Sequence, residues 1–335
     1  LAIDMSGSMT SGAIGGGSRI SAARTAAHTL IDILFGTSSN KDLLGIGLVP
    51  WNSKVNVTID GQAYDPGLTT EDVVPNYIHP VTGAAQSTVF SVNNSPVRLL
   101  DDPGPDWTGC VFQRYSDDGD DANDGDILLD VGLIGTADWV AWEPIGPDGD
   151  PLPGWDECAM SVGGQECGPC LSHGITPLQH SKTTIEDAVD DLTSPEGQTN
   201  IPQGLGWAWR VLMPSAPFTE AIPDPPYRRQ QAILLLTDGE NVGGSGDGYK
   251  TVWGTGGGAY DEMNDRLADL AANVKASGVI VYVIQFANND EDLKNLLKQV
   301  ASGPDAPFYH LAPDAAELQN VFREVANHLT ELRLS

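Results

Sequence analysis

A chain of 335 residues, 40% of them hydrophobic, is long enough to bury a full core, as one large domain or two smaller ones. Its 17 Lys and Arg stand against 46 Asp and Glu, and the formal charge of -29 argues against nucleic acid and against contact with anionic lipid, since both need a basic face. No uninterrupted apolar run approaches the ~20 residues that span a bilayer, so the chain reads as soluble, with most of its acids on a solvated surface.

The apolar stub Leu1-Ala2-Ile3 reads as the end of a buried strand, and Asp4-Met5-Ser6-Gly7-Ser8 directly behind it sets three oxygen side chains on the following turn. Hard divalent cations take oxygen ligands and keep some water, so one carboxylate and two hydroxyls make half a coordination shell. The alternative is that Ser6 and Ser8 merely cap the turn. A first strand of only three apolar residues starts in mid-strand, which implies upstream sequence able to carry a signal or a membrane anchor.

Ser18 to Phe35 reads as the first helix, with Ile20, Ala23, Ala27, Leu30, Ile31 and Leu34 at helical spacing behind a Ser18 cap. Leu43 to Pro50 reads as strand two and Val55 to Ile59 as its antiparallel partner. From Gly61 to about Ile175 periodicity dissolves into Pro, Gly, Asp and Trp, which predicts an irregular insertion with little regular core, Trp107, Trp139, Trp142 and Trp155 supplying what core it has. Cys110, Cys158, Cys167 and Cys170 all fall inside it. An even set in one region predicts two disulfides, Cys110 with one of the other three and the remaining two together, and an oxidising compartment. Cys167-Gly168-Pro169-Cys170 could instead be half of a zinc site or a redox pair. A zinc site wants a second close pair or well-spaced histidines, while Cys110 and Cys158 stand far apart. A redox pair usually sits at a helix start beside a strand, while this one lies among Gly and Pro. In the acid-rich run Asp117 to Asp126, an EF-hand starting at Asp120 fails because Ala122 and Val131 stand where ligands are required. That leaves a solvated acidic loop or an irregular Ca2+ site built from Asp118, Asp120, Asn123, Asp124 and Asp126.

Regular structure returns with a helix over Ser181 to Leu192, a loop over Pro195 to Asn200 carrying Thr199, and a helix over Gln203 to Leu212. Ala232 to Thr237 is an all-apolar strand of the kind buried on both faces of a parallel sheet, and it ends in Asp238-Gly239. A Gly-rich insertion follows from Asn241 to about Ala259. A helix over Tyr260 to Ser277, a strand over Val279 to Phe286, a helix over Asp290 to Ala301, a strand over Phe308 to Leu311 and a helix over Ala315 to Leu332 complete the chain. This alternation predicts a doubly wound, mostly parallel α/β sheet with helices on both faces, whose ligands bind outside the carboxyl ends of the strands, where Asp4 and Asp238 lie.

The three-part pattern of Asp4-x-Ser6-x-Ser8, a distant Thr199, and Thr237-Asp238-Gly239 after a strand resembles the metal-ion-dependent adhesion site of von Willebrand factor type A domains, over roughly residues 1–60 and 176–335. The resemblance implies a Rossmann-like fold in which Ser6, Ser8 and Thr199 ligate Mg2+, or Mn2+ or Ca2+ in its place, with Asp4 and Asp238 reaching it directly or through water. Residues 61–175 and 241–259 are then insertions. Ile175-Thr176-Pro177-Leu178, Gly204-Leu205-Gly206-Trp207-Ala208-Trp209-Arg210, Pro217-Phe218, Glu240-Asn241, Leu329-Thr330-Glu331-Leu332-Arg333-Leu334 and, in the insertion, Trp107-Thr108-Gly109-Cys110-Val111 are similar to TadG-like proteins of the tight-adherence pilus system. That resemblance implies an extracytoplasmic module, in the periplasm, on the outer surface or with the pilus, tethered by an N-terminal anchor.

The leading expectation is a non-enzymatic adhesion module whose metal keeps one position open for an acidic side chain of a protein partner, a pilus or envelope component. A structural subunit whose insertions drive self-association is a second class. A metal-dependent hydrolase is a third, but hydrolytic sites want a general base and richer ligation, and the sequence holds no Gly-x-Ser-x-Gly, His-Glu-x-x-His or phosphate-binding Gly-Lys-Thr motif.

Overall fold

The structure, a computed structural model, describes residues 1–59, 69–78, 85–92, 94–100, 102–103, 107–111, 113–114, 126, 141–142, 144–145, 170–214, 217–222, 228–242 and 257–334, with 69–78, 85–87, 257–259 and 333–334 described as backbone only. Ten strands occur among these residues: β1 (Ala2–Asp4), β2 (Ile46–Trp51), β3 (Val55–Ile59), β4 (Thr69–Ile78), β5 (Ala85–Ser91), β6 (Cys110–Val111), β7 (Gly174–Gln179), β8 (Ala232–Thr237), β9 (Ile280–Phe286) and β10 (Tyr309–Ala312). Eight of them form one sheet in the order β10-β9-β8-β1-β2-β7-β3-β6. The run from β10 to β2 is parallel. The helices are α1 (Arg19–Phe35), α2 (Lys182–Asp190), α3 (Ile201–Leu212), α4 (Gly257–Ala276), α5 (Glu291–Val300) and α6 (Ala315–Leu334).

The strands are apolar on both faces because both faces are covered. Ile233 and Leu235 of β8 and Val281 and Val283 of β9 point into one core with Leu205 of α3, Leu267 of α4 and Leu293 of α5. Their neighbours Leu234, Leu236, Tyr282 and Ile284 point into the other, with Leu30 of α1, Ile185 of α2 and Phe322 of α6. A period of two in the strands feeding two separate helical layers is the signature of a doubly wound sheet, as the alternation of elements predicts. Caps fix the helix starts: the Ser18 side chain accepts from the Ser21 N–H, that of Asn200 from Gln203 and that of Asp290 from Asp292 and Leu293.

The far edge of the sheet differs from the expected hairpin. β3 is not hydrogen-bonded to β2, because β7 lies between them, antiparallel to β2 and parallel to β3. The β7 sequence carries Pro177, which removes a ladder donor and disguises the strand, and the β2–β7 register shifts beside it, between the Ile46–Gln179 and Leu48–Thr176 pairs. Segment 61–175 also holds more regular structure than its composition suggests: β4 and β5 pair as an antiparallel hairpin, and β6 joins the main sheet against β3. Trp107 and Trp142 pack into the main core instead of forming a small one of their own, while Trp139 and Trp155 lie outside the described residues.

Cys110 is bonded to Cys170 across a sequence separation of 60 residues, one of the three pairings the sequence allows; Cys158 and Cys167 lie outside the described residues. The bond ties β6 to the chain entering β7 and so closes the insertion onto the sheet. A second tie is polar. Asp126 receives Arg114 Nε at 2.9 Å and Arg210 Nη2 at 2.6 Å on one oxygen and the Arg114 N–H at 2.8 Å on the other. The Arg114 guanidinium stacks 3.9 Å from the centre of Trp142, which itself meets Trp207 of α3. Burial pulls Arg210 down to about 10, with Asp126 acting in the opposite direction.

α3 approaches the sheet closely because Gly204 has no side chain. A Cβ there would stand 2.5 Å from the indole of fully buried Trp51, closer than packed atoms allow. Gly204→Ala gains helix propensity of up to ~1 kcal/mol, yet the overpacking costs about 1–3 kcal/mol and should win. Chemical denaturation is expected to show a net loss of stability; a variant as stable as the parent would contradict this packing.

Candidate metal centre

β1 and β8 are parallel neighbours with Ile3 opposite Leu236, so Asp4 and the Thr237-Asp238 step emerge side by side at the carboxyl edge of the sheet. Both carboxylates are buried, Asp4 fully and Asp238 to 2% exposure. Asp4 is fixed from two sides: its Oδ1 accepts the Ser6 N–H at 2.7 Å and its Oδ2 the Thr237 hydroxyl at 2.8 Å. Burial first, and the charge of Asp238 second, push the Asp4 carboxyl up to about 7, against the pull of its hydrogen bonds to Ser6 and Thr237.

The chain after Asp4 turns through a short 3-10 helix, Gly7–Thr10, which brings both serines to the edge. The Ser8 hydroxyl donates to Asp238 Oδ1 at 2.5 Å and lies 3.0 Å from the Ser6 hydroxyl. With its proton given to Asp238, Ser8 can only accept from Ser6, and its second lone pair stays available.

Thr199 arrives on a loop laced to that turn. The Gly7 N–H donates to Gly197 O at 3.0 Å, the Glu196 N–H to Met5 O at 2.8 Å and the Asn200 N–H to Asn52 O at 3.1 Å. The Asn52 side chain adds a bond to Glu196 O. From the other side the Val242 N–H donates to Thr199 O, and the Asn241 side chain accepts the first free N–H of α3, at Ile201. Gly239 shows how closely the parts meet: a Cβ on it would lie 3.6 Å from the Thr199 hydroxyl and 3.8 Å from that of Ser8.

Asp4, Ser6, Ser8, Thr199 and Asp238 are therefore brought together, from three segments distant in sequence, as an all-oxygen cluster. Among the described residues no three His, Cys, Asp or Glu side chains gather as a metal cluster, so this one rests on two carboxylates and three hydroxyls. Hard oxygens, two of them carboxylates that raise each other's energy in a buried place, suit Mg2+, Mn2+ or Ca2+ and not a soft metal. The donor set fits such an ion. Of the irregular calcium site, Asp118, Asp120, Asn123 and Asp124 lie outside the described residues, and Asp126 has both oxygens engaged by Arg114 and Arg210.

Sequence reasoning missed the supporting groups. Thr237 was visible beside Asp238, and Asn241 two residues beyond Gly239, but their bonds to Asp4 and to α3 depend on strand register. Arg19 gave no signal beyond opening a helix. Its Nη1 donates to Asp238 Oδ2 at 2.8 Å.

Three solved structures are similar to this chain over 98% of its length. The pilus adhesin SpaC from Lactobacillus rhamnosus GG matches with a TM-score of 0.47 and 13% identity over 30% of its own chain. The same adhesin in its open conformation gives 0.44 and 12% over 29%. The vWF domain of the type V pili tip protein Mfa5 from Porphyromonas gingivalis gives 0.46 and 11% over 93%. This chain thus spans about a third of the SpaC adhesin. No curated protein matches. The family model of the von Willebrand factor type A domain matches residues 174–324, which include Thr199 and Asp238.

Proposed function

We propose that this chain is a non-enzymatic, metal-dependent protein-binding module of the cell envelope. The observation that carries the reading is the convergence of Asp4, Ser6, Ser8, Thr199 and Asp238 at the carboxyl edge of the sheet. A divalent cation there would offer a Lewis-acidic position to an acidic side chain of a partner. Ser6, Ser8 and Thr199 would hold the ion through their hydroxyls. Asp4 and Asp238 would supply the charge, and because Ser8 gives its proton to Asp238, a lone pair of its hydroxyl stays available to an ion.

Among the described residues the hydrogen bonds to Asp4 and Asp238 come from hydroxyls, a backbone N–H and Arg19, with no histidine among them, which favours binding over hydrolysis. The motifs shared with TadG-like proteins, among them the Gly204 to Arg210 run and Pro217-Phe218, favour a tight-adherence pilus setting outside the cytoplasm, with a pilus or envelope component as partner. The disulfide between Cys110 and Cys170 agrees with an oxidising compartment. No described helix is long and apolar enough to cross a membrane.

Two measurements test the reading. Asp4→Ala, Thr199→Ala and Asp238→Ala are each expected to weaken Mg2+ or Mn2+ binding by more than about 100-fold in calorimetry while the circular dichroism spectrum survives, because the ligands sit on loops above separately packed cores. Unchanged affinity in Asp238→Ala would contradict the site. The second is pH dependence. Asp4 holds its proton up to about 7 in the metal-free fold and must lose it to meet a cation. Metal affinity should therefore fall by close to tenfold for each pH unit below about 7 and level off above it. The same raised carboxyl makes the metal-free protein bind more protons than the unfolded chain, so this group's contribution to stability declines as pH rises from its ordinary range toward 7. Metal affinity flat between pH 5.5 and 7.5 would show that Asp4 is not displaced from its proton.

A further inference from the structure

Arg19 is placed oddly for a residue that only begins a helix. It is the first residue of α1, where the exposed N–H groups make positive charge unfavourable and an acid would be the stabilising choice. The chain nevertheless takes trouble to put it there. Gly15, Gly16 and Gly17 all have positive φ and turn the loop back, Gly12 bridges to Ser18, and the Arg19 N–H donates to Ser11 O at 2.8 Å. The side chain then reaches over the sheet edge: Nη1 meets Asp238 Oδ2 at 2.8 Å, and Nη2 meets Ala287 O at 3.3 Å. Nε is buried with no hydrogen-bond partner. The side chain is 21% exposed while that of Asp238 is fully buried. A guanidinium set against a helix terminus and left incompletely bonded is poorly optimised as a structural strut. What it matches is the negative charge of Asp238.

We propose that Arg19 sets how tightly this site holds a divalent cation, standing on Asp238 as a built-in competitor for the same carboxylate. The inference rests on the metal reading above and goes beyond it. Without a metal, Asp4 and Asp238 would face each other in a buried place, and Arg19 neutralises the one whose oxygens are shared with Ser8. A divalent ion added to two carboxylates and one guanidinium leaves a single net positive charge, where two carboxylates alone would leave none. Arg19 thus acts twice: it lowers the affinity of the site for the cation, and it leaves the loaded site with an excess charge that an acidic side chain of a partner would cancel.

The test is Mn2+ calorimetry at pH 7.5 on the full chain and its Arg19→Gln and Arg19→Lys variants, with thermal denaturation of each in EDTA and in Mn2+. Arg19→Gln should bind Mn2+ at least about tenfold more tightly, because both the repulsion and the competing partner of Asp238 are removed. It should melt lower than the parent in EDTA and gain more from Mn2+. Arg19→Lys keeps the charge and should stay within about threefold of the parent. Should Arg19→Gln not fold, Arg19→Met, which retains the apolar stem, carries the same comparison. Equal or weaker Mn2+ binding in Arg19→Gln, with the parent binding normally, would overturn the role of Arg19 and leave the metal site standing. No Mn2+ binding in the parent or in any variant would overturn both.

Discussion

Two carboxylates, Asp4 at the end of β1 and Asp238 just past the end of β8, are held together at one edge of the sheet where neither meets bulk water. Like charges in such a place repel, and a buried carboxylate without compensation costs several kcal/mol. The arrangement persists because the strands beneath are locked by apolar packing on both faces, from Ile3, Leu234 and Leu236 on one side to Ala2, Ile233 and Leu235 on the other. Electrostatic cost at the edge is thereby offset by hydrophobic burial below it, at ~25 cal/mol per Å2 of apolar surface. The elevated Asp4 carboxyl, near 7, is the visible trace of that cost.

Everything around the edge answers this charge. Hydroxyls from Ser8 and Thr237 donate to the two carboxylates, the backbone of Ser6 donates to one, and Arg19 reaches from α1 to the other. The loop with Thr199 is not free to settle anywhere else, since bonds from Gly7, Val242 and the Asn52 side chain and bonds to Met5, Asn52 and Asn241 hold it on every side. Preorganisation of this kind means a cation would find its oxygens already in place and would displace a proton and a guanidinium contact instead of ordering a loop.

Legibility followed physical range. The strands buried on both faces and the helices packed on them carry their periods in short windows, so β8, β9, α1 and α6 were readable to within a few residues, and the oxygen side chains next to strand ends stand out in the sequence as a pattern. β7 was hidden because Pro177 removes the local strand signal, and only the pairing with β2 and β3 reveals it. The β4–β5 hairpin lacked clear alternation in its sequence. Arg19 was illegible for a different reason: 219 residues separate it from Asp238, and nothing local to a helix start announces so distant a partner. The same holds for the choice of Cys170 as the partner of Cys110, which geometry alone decides.

The most direct measurement is anomalous X-ray diffraction from crystals grown with Mn2+. A single strong peak is expected about 2–2.5 Å from the hydroxyl oxygens of Ser6, Ser8 and Thr199, with Asp4 and Asp238 at its rim. A saturating Mn2+ concentration that leaves this cluster without a peak, or places the ion elsewhere in the fold, would contradict the account.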